Sequence, residues 1–342
     1  MKTKIAINGF GRIGRIALRL ALSRYLGDFE VVAINTSGSM PIEGWAHLFE
    51  FDTIYGRFGQ SVEVLAGQQD EIGRLKIGKL VIPVLAQREP KLLPWDRYQP
   101  QVVIEATGVF ADKKGASLHL EAGAKKVVVS AATDEVQDYV IGVNEDKYKG
   151  ALIVGNASCT TNCVTPIVKV IKDNFGLQKA MMTTVHAYTS TQSLTDDSHK
   201  DLRRARAAAQ NLIPTSTGAA KTTAEAIPEV KGLFDGLAIR APILCGSIAD
   251  VTLLTLKRTS VNQINEAFTK AANGPLKGVL AVTTKPLVSS DILGMTESAI
   301  VDLNLTRVVD GDLVKVIAWY DNEWGYCCRL LELTSFIANK KK

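Results

Sequence analysis

Asn8-Gly9-Phe10-Gly11-Arg12-Ile13-Gly14 carries the spacing G-x-G-x-x-G. The apolar run before it, residues 2–8, has the composition of a buried strand. The segment after it, residues 13–22, sets Ile13, Ile16, Ala17 and Leu20 on one helical face. A second apolar run follows at residues 30–34. Strand, glycine turn, helix and strand make a βαβ unit, whose strands lie parallel and whose crossover is right-handed. The glycine spacing is a weak sign by itself; between a strand and a helix start it points to dinucleotide binding. There Gly9 makes the tight turn, Gly11 lets the backbone approach a pyrophosphate, and Gly14 permits close helix–strand packing. Free amides of the first helical turn then face the phosphates. A glycine turn without a ligand is the plainer alternative, and the flanking elements weigh against it.

Further apolar strands are expected at residues 80–85, 102–106, 126–130 and 151–155, with a helix over 112–123. Residues 1–155 therefore read as an open, mostly parallel sheet with helices on its faces. After Cys159 the texture changes. Residues 185–193 and 203–217 are polar, hydroxyl-rich or basic. The later runs 236–241, 248–257 and 314–320 are longer and alternate, with a helix expected over 262–272. That pattern suits an antiparallel or mixed sheet with helices on one side. The fold class expected is α/β: a Rossmann-type sheet domain followed by an α+β domain.

The bulk numbers bound the function. The chain has 342 residues, 46% hydrophobic and 22% charged, which is an ordinary globular balance. The net charge of +5 suits an anionic substrate without marking a nucleic-acid binder. No run of about 18 apolar residues is present, and the N-terminus lacks the features of a signal peptide. A cytoplasmic protein is expected. Lys340, Lys341 and Lys342 read as a solvated, frayed tail. Five cysteines in a long chain argue against a disulfide framework. The four histidines are too scattered to suggest a metal site.

NAD-preferring sites place an acid at the end of the second strand, to hold the ribose 2′-hydroxyl. Here that segment is Ala33-Ile34-Asn35-Thr36-Ser37-Gly38, and the first acid after it is Glu43. The charge that would repel a 2′-phosphate is missing. NADP is therefore expected to be accepted alongside, or instead of, NAD.

Gly155-Asn156-Ala157-Ser158-Cys159-Thr160-Thr161-Asn162-Cys163 follows an apolar strand and precedes a helix carrying Val164, Ile167, Val168 and Ile171 on one face. A thiol near a helix N-terminus favours the thiolate, and the amides there can hold an oxyanion. Pro166 belongs best in a first turn, so the regular helix is expected to start a little after Cys159. Cys163, Cys245, Cys327 and Cys328 read as small buried hydrophobes. Cys159, in its polar surround, reads as a nucleophile. In Thr184-Val185-His186-Ala187-Tyr188-Thr189, His186 ends a strand that runs from apolar to polar. It is a candidate base, and the residues themselves leave open whether it meets Cys159.

Taken together these segments resemble the glyceraldehyde-3-phosphate dehydrogenase family over essentially the whole chain. The matching segments are 6–15, Ala157-Ser158-Cys159-Thr160-Thr161-Asn162, 186–189, Asp201-Leu202-Arg203-Arg204-Ala205-Arg206, Ser216-Thr217-Gly218-Ala219-Ala220-Lys221 and Trp319-Tyr320-Asp321-Asn322-Glu323-Trp324-Gly325-Tyr326. The resemblance implies a phosphorylating oxidation of D-glyceraldehyde 3-phosphate to 1,3-bisphosphoglycerate. It implies that the reaction is reversible and serves glycolysis, gluconeogenesis or reductive carbon fixation. It implies that Cys159 attacks the aldehyde, that His186 takes a proton, and that a thioester forms on Cys159 for phosphate to attack. It implies Ser158, Thr160, Thr189, Arg204, Thr217, Gly218 and Arg240 as holders of the substrate phosphate and the attacking phosphate. For the NAD(P) cofactor it implies Gly9, Gly11, Arg12, Ile13, Gly14, Thr36, Arg88, Ser130, Ser198 and Asn322, with Tyr326 packed near the nicotinamide. It also implies a homotetramer, and a final helix over residues 335–342 returning to the first domain. The domains would then be 1–158 with 325–342 for the dinucleotide, and 159–324 for catalysis.

Two departures from the family pattern point toward NADP. NAD-specific members usually have Asn-Asp where this chain has Asn35-Thr36. They often have Leu-Pro where it has Asp197-Ser198. The segment after Arg240, Ala241-Pro242-Ile243-Leu244-Cys245, differs from the common Val-Pro-Thr-Pro, while Arg240 itself is kept. The alternatives are erythrose-4-phosphate dehydrogenase and a non-catalytic binding protein on the same fold. Intact Cys159, His186 and Asn322 oppose the second.

Overall fold

The computed structural model describes residues 2–133 and 135–340. The chain divides into two compact units: residues 1–139, 147–157 and 327–342, and residues 140–146 and 158–326.

In the first unit the elements run β1 (Thr3–Asn8), α1 (Arg12–Ala21), β2 (Phe29–Asn35), α2 (Ile42–Glu50), β3 (Val62–Leu65), β4 (Gly73–Ile77), β5 (Leu80–Leu85), β6 (Val102–Glu105), α3 (Lys113–Glu121), β7 (Val127–Val129) and β8 (Ile153–Gly155). They form an eight-stranded sheet in the order β8-β7-β6-β1-β2-β5-β4-β3. From β8 to β5 the pairing is parallel; β4 and β3 add an antiparallel edge. Helix α1 forms because Ile16, Ala17 and Leu20 bury one face against the sheet. Ile13, expected on that face, is only half-buried. Leu18 joins Ile7, Phe10, Ile34, Phe49 and Val84 in one core cluster. Arg19 is buried as well. Its guanidinium donates to the carbonyls of Phe49 (2.8 Å), Glu50 (3.1 Å) and Gly56 (3.0 Å), which meets the cost of burying a cation.

The second unit contains α4 (Cys159–Phe175), β9 (Leu177–Ala187), β10 (Ile213–Ser216), α5 (Ala219–Ala226), β11 (Phe234–Ala241), β12 (Ser247–Thr255), α6 (Val261–Asn273), β13 (Leu280–Thr283), β14 (Ala299–Asp302) and β15 (Leu313–Tyr320). Its sheet runs β10-β11-β9-β12-β15-β14-β13 and is mixed: β9 lies parallel to β11 and antiparallel to β12. The strands alternate, β12 burying every second residue. Helix α4 packs across this sheet with Val164, Ile167, Val168 and Ile171 fully buried. It begins at Cys159 itself, earlier than Pro166 led one to expect. Pro166 sits inside the helix, and the burial around it outweighs the one interrupted backbone bond.

The last helix, α7 (Trp324–Asn339), starts eleven residues before the expected 335 and belongs to the first unit from Cys327 onward. Lys341 and Lys342 lie outside the described residues; Lys340 is exposed. Among the described residues no helix is long and apolar enough to cross a membrane.

Candidate active site

The chain enters α4 through a sharp turn. Ala157 holds φ 54, a left-handed backbone that non-glycine residues seldom adopt. Ser158 then caps the helix, accepting from the Thr161 amide at 3.0 Å. Cys159 is the first helical residue and is half-buried. The other four cysteines are buried, and none is in a disulfide among the described residues.

His186 is the last residue but one of the long strand β9, and its Nε2 lies 3.3 Å from Cys159 Sγ. In the β9–β11 register His186 is the partner of Arg240. Arg240 Nη1 lies 2.7 Å from His186 Nδ1 and donates to the Ala187 carbonyl at 3.0 Å. That carbonyl is also 2.6 Å from Nδ1. Nδ1 cannot give a proton to the carbonyl and accept one from Arg240 at once, so two tautomers are available. With Nδ1 protonated, Nε2 is free to take the thiol proton. With Nε2 protonated, it donates to a thiolate.

Burial pushes the Cys159 thiol up, against the pull of Arg240 and Thr160. Burial first, and the Arg240 cation second, hold His186 down at about 3, opposed by the Ala187 carbonyl. Both shifts favour an uncharged thiol beside an uncharged imidazole. At Cys159 burial opposes the thiolate that a helix N-terminus favours, so the two effects pull in opposite directions. For His186, burial and Arg240 both favour the neutral imidazole, the form that can accept the thiol proton. Arg240 lowers the proton affinity of both groups. Arg240→Leu should raise the thiol's titration midpoint, and a rise of about one pH unit slows Cys159 alkylation about tenfold at a fixed pH below it. Iodoacetamide rates measured against pH check this; an unmoved midpoint contradicts it.

Arg240 Nε is buried without a hydrogen-bond partner among the described residues. Arg204 is close enough to disfavour the Arg240 cation. Arg204 is itself steered by Thr215 (2.8 Å) and by Asp201 (3.6 Å). Two guanidiniums near each other, one with an unused buried donor, fit an anion. Of the neighbouring basic residues, Arg206 is paired with Asp196 at 2.9 Å and Arg203 is exposed. Thr189 bonds Thr191 (2.9 Å), and Thr217 accepts from the Ala219 amide (3.2 Å) beside Gly218, which caps α5.

Tyr320 and Thr184 were not singled out in the sequence. Tyr320 Oη lies 2.9 Å from Thr160 Oγ1 and 2.7 Å from Thr184 Oγ1, and its ring meets His186 edge-on at 6.0 Å. The alternation of residues 314–320 is the signal that turns Tyr320 inward. Asn322 is held by its oxygen, which accepts from Ser247 Oγ (3.0 Å) and the Gly246 amide (3.1 Å). Ser247 Oγ also accepts from the Ala187 amide at 3.3 Å, tying Asn322 to the strand that carries His186. Ser198 is exposed. Tyr326 is buried.

In the first unit the glycine loop fits a dinucleotide pyrophosphate. A Cβ on Gly9, at φ +98, would lie 2.7 Å from the Ala106 and Thr107 backbone. One on Gly14 would lie 2.0 Å from the Gly9 carbonyl oxygen. One on Gly11 would meet nothing within 4 Å, so that face is open to a ligand. Gly11 caps α1 without a side-chain bond, and the first turn of a helix is a setting that suits an anion. Arg12 pairs with Asp52. Thr36 is buried, its hydroxyl donating to the Leu85 carbonyl at 3.1 Å. Arg88 is exposed, and the Ser130 amide is bound to the Glu105 carbonyl at 2.9 Å.

Comparison with known proteins shows the family. Residues 3–113 match the family model described as glyceraldehyde 3-phosphate dehydrogenase, NAD binding domain; residues 158–322 match that described as the C-terminal domain. Glyceraldehyde-3-phosphate dehydrogenase 2 of Streptomyces avermitilis is 47% identical over 99% of this chain and 100% of its own length. The chain belongs to the glyceraldehyde-3-phosphate dehydrogenase family. Glyceraldehyde-3-phosphate dehydrogenase of Mycobacterium tuberculosis is 48% identical, over 98% of this chain and 99% of its own. Family membership makes the chain an oxidoreductase with a nicotinamide-binding domain, and the Cys159–His186 pair lies within the matched C-terminal domain.

Proposed function

We propose that the chain oxidises D-glyceraldehyde 3-phosphate with inorganic phosphate to 1,3-bisphosphoglycerate, through a thioester on Cys159. The observation that carries this reading is the 3.3 Å approach of His186 Nε2 to Cys159 Sγ, with Arg240 at the far side of the imidazole. His186 takes the thiol proton as Sγ bonds to the aldehyde carbon. The new oxyanion lies near the first amides of α4, and the protonated Nε2 can donate to it. When bound, the nicotinamide cofactor supplies the hydride acceptor, which leaves the oxidised acyl group on Sγ. A phosphate oxygen then bonds to the acyl carbon, the S–C bond breaks, and the acyl phosphate departs. Arg240 and Arg204 hold phosphate through this sequence, with Ser158, Thr160, Thr189, Thr217 and Gly218 around them.

In this reading the first unit binds the dinucleotide through Gly9, Gly11, Arg12, Ile13 and Gly14, and the second performs the chemistry. The protein works as a cytoplasmic homotetramer. The large apolar side chains Met181, Leu202 and Leu237, respectively 60%, 81% and 45% exposed, support burial against further copies.

For the cofactor we propose use of NADP as well as NAD. Thr36 turns its hydroxyl into the protein, the end of β2 presents the exposed Ser37 and Ser39 rather than an acid, and Arg88 is exposed after β5. Two phosphate-dependent absorbance assays on glyceraldehyde 3-phosphate test both readings. Formation of NADH or NADPH is expected, with kcat/KM for the two cofactors within about a hundredfold, under ~3 kcal/mol. A larger preference for NAD refutes dual use. Faster turnover of erythrose 4-phosphate, or turnover that ignores phosphate, refutes the substrate assignment.

A further inference from the structure

Three neighbouring parallel strands of the first unit end in buried polar side chains. Asn35 of β2, Asn8 of β1 and Glu105 of β6 stand in one row, paired Asn8 with Asn35 and Asn8 with Glu105. All are under 5% exposed. Asn35 Nδ2 donates to Asn8 Oδ1 at 2.7 Å, and Asn8 Nδ2 donates to Glu105 Oε2 at 2.5 Å. His119 of α3, fully buried, lies with Nε2 2.9 Å from the same oxygen. Trp95 Nε1, which can only donate, reaches His119 Nδ1 at 3.0 Å. The imidazole proton therefore sits on Nε2 and points at Glu105. The other carboxylate oxygen takes the Thr107 amide (2.8 Å) and the Thr107 hydroxyl. Four donors thus converge on one buried carboxylate, which satisfies its charge without a cation.

The row is built at the carboxyl ends of the strands, where open α/β sheets bind ligands. Through Thr107 it fixes the loop leaving β6, since Thr107 Oγ1 goes on to accept from the Val109 amide at 3.0 Å. Through Asn35 it fixes the loop leaving β5, by bonds to the Gln87 amide (2.9 Å) and carbonyl (2.8 Å). Thr107 also bounds the glycine loop, because the space beside Gly9 ends at its backbone. An apolar row would fill the same volume, but it would leave these loops free to move separately.

We infer that Glu105 and His119 are a positioning pair, which locks the loops leaving β1, β2, β5 and β6 into the arrangement that receives a dinucleotide. This rests on reading the first unit as the dinucleotide site. His119→Phe removes the donor to Glu105 and the acceptor for Trp95. His119→Gln keeps an N–H near the position of Nε2. Calorimetric dissociation constants for NAD and NADP on the full chain test the pair, with melting temperature and the Cys159 alkylation rate measured in parallel. His119→Phe is expected to weaken binding about tenfold, the scale of one hydrogen bond to a charged group. His119→Gln is expected to restore most of the affinity, with Cys159 alkylation unchanged in both. If His119→Phe does not fold, Asn35→Ala at the other end of the row is expected to weaken binding similarly. A lowered melting temperature with unchanged dissociation constants would make the row merely structural and overturn the inference. A wild-type chain that binds neither dinucleotide would overturn the reading of the site itself.

Discussion

Cys159→Ser is expected to lower kcat by about 10⁴-fold or more, a loss above ~5 kcal/mol. The serine hydroxyl is a far weaker acid than the thiol, so His186 has a harder proton to remove. The oxygen is also smaller than sulfur, which widens the 3.3 Å approach to Nε2. Helix α4 keeps its cap, because Ser158 and Thr161 carry it without Cys159. Dinucleotide affinity should therefore remain within about threefold, since the glycine loop is built from other residues. Steady-state assays with calorimetric binding read both quantities. A variant with near-normal kcat would remove covalent catalysis through this residue.

His186→Asn is expected to cost about 10²- to 10⁴-fold in kcat, the range for losing a general base. The effect should fall on kcat more than on KM, because Arg240 and Arg204, the proposed phosphate holders, remain. Cys159 alkylation should also slow near neutral pH, as no group then takes the thiol proton. Equal losses in kcat and in dinucleotide affinity would instead indicate a damaged fold.

The dinucleotide half was legible because its signals are local. The glycine spacing, the apolar faces of α1 and the strands on either side lie within about thirty residues, where periodicity is informative. The antiparallel edge β3–β4 was not legible. Strand β3 is half-exposed, with Glu63 between its valines, and β4 buries only Gly73, Leu75 and Ile77 between Arg74 and Lys76, too short a run to stand out. Helix α2 was missed as well: it follows Pro41 with no side-chain cap to announce it. Pro166 misled about the start of α4, because tertiary burial overrode a local preference.

In the site, Cys159 and the ring of His186 could be named, but their meeting could not be read from the chain. It depends on where β9 emerges beside α4, a non-local result of sheet order. The register that sets Arg240 against His186 is hidden in the same way. Tyr320 and Thr160 meet across 160 residues. Glu105 and His119 were invisible for a simpler reason: in sequence, each resembles an ordinary charged or polar residue near the end of an element. The inward turn of the Thr36 hydroxyl could not be read from the sequence either, because it depends on the Leu85 carbonyl of the neighbouring strand.

The central claim is the thioester on Cys159. Mass spectrometry of the full chain, mixed with glyceraldehyde 3-phosphate and oxidised cofactor but no phosphate, tests it most directly. The account predicts one phosphoglyceroyl group per chain on Cys159 itself, placed by fragment ions and lost when phosphate is added as acyl phosphate appears. Turnover without any adduct, or an adduct confined to Cys163, Cys245, Cys327 or Cys328, would contradict it.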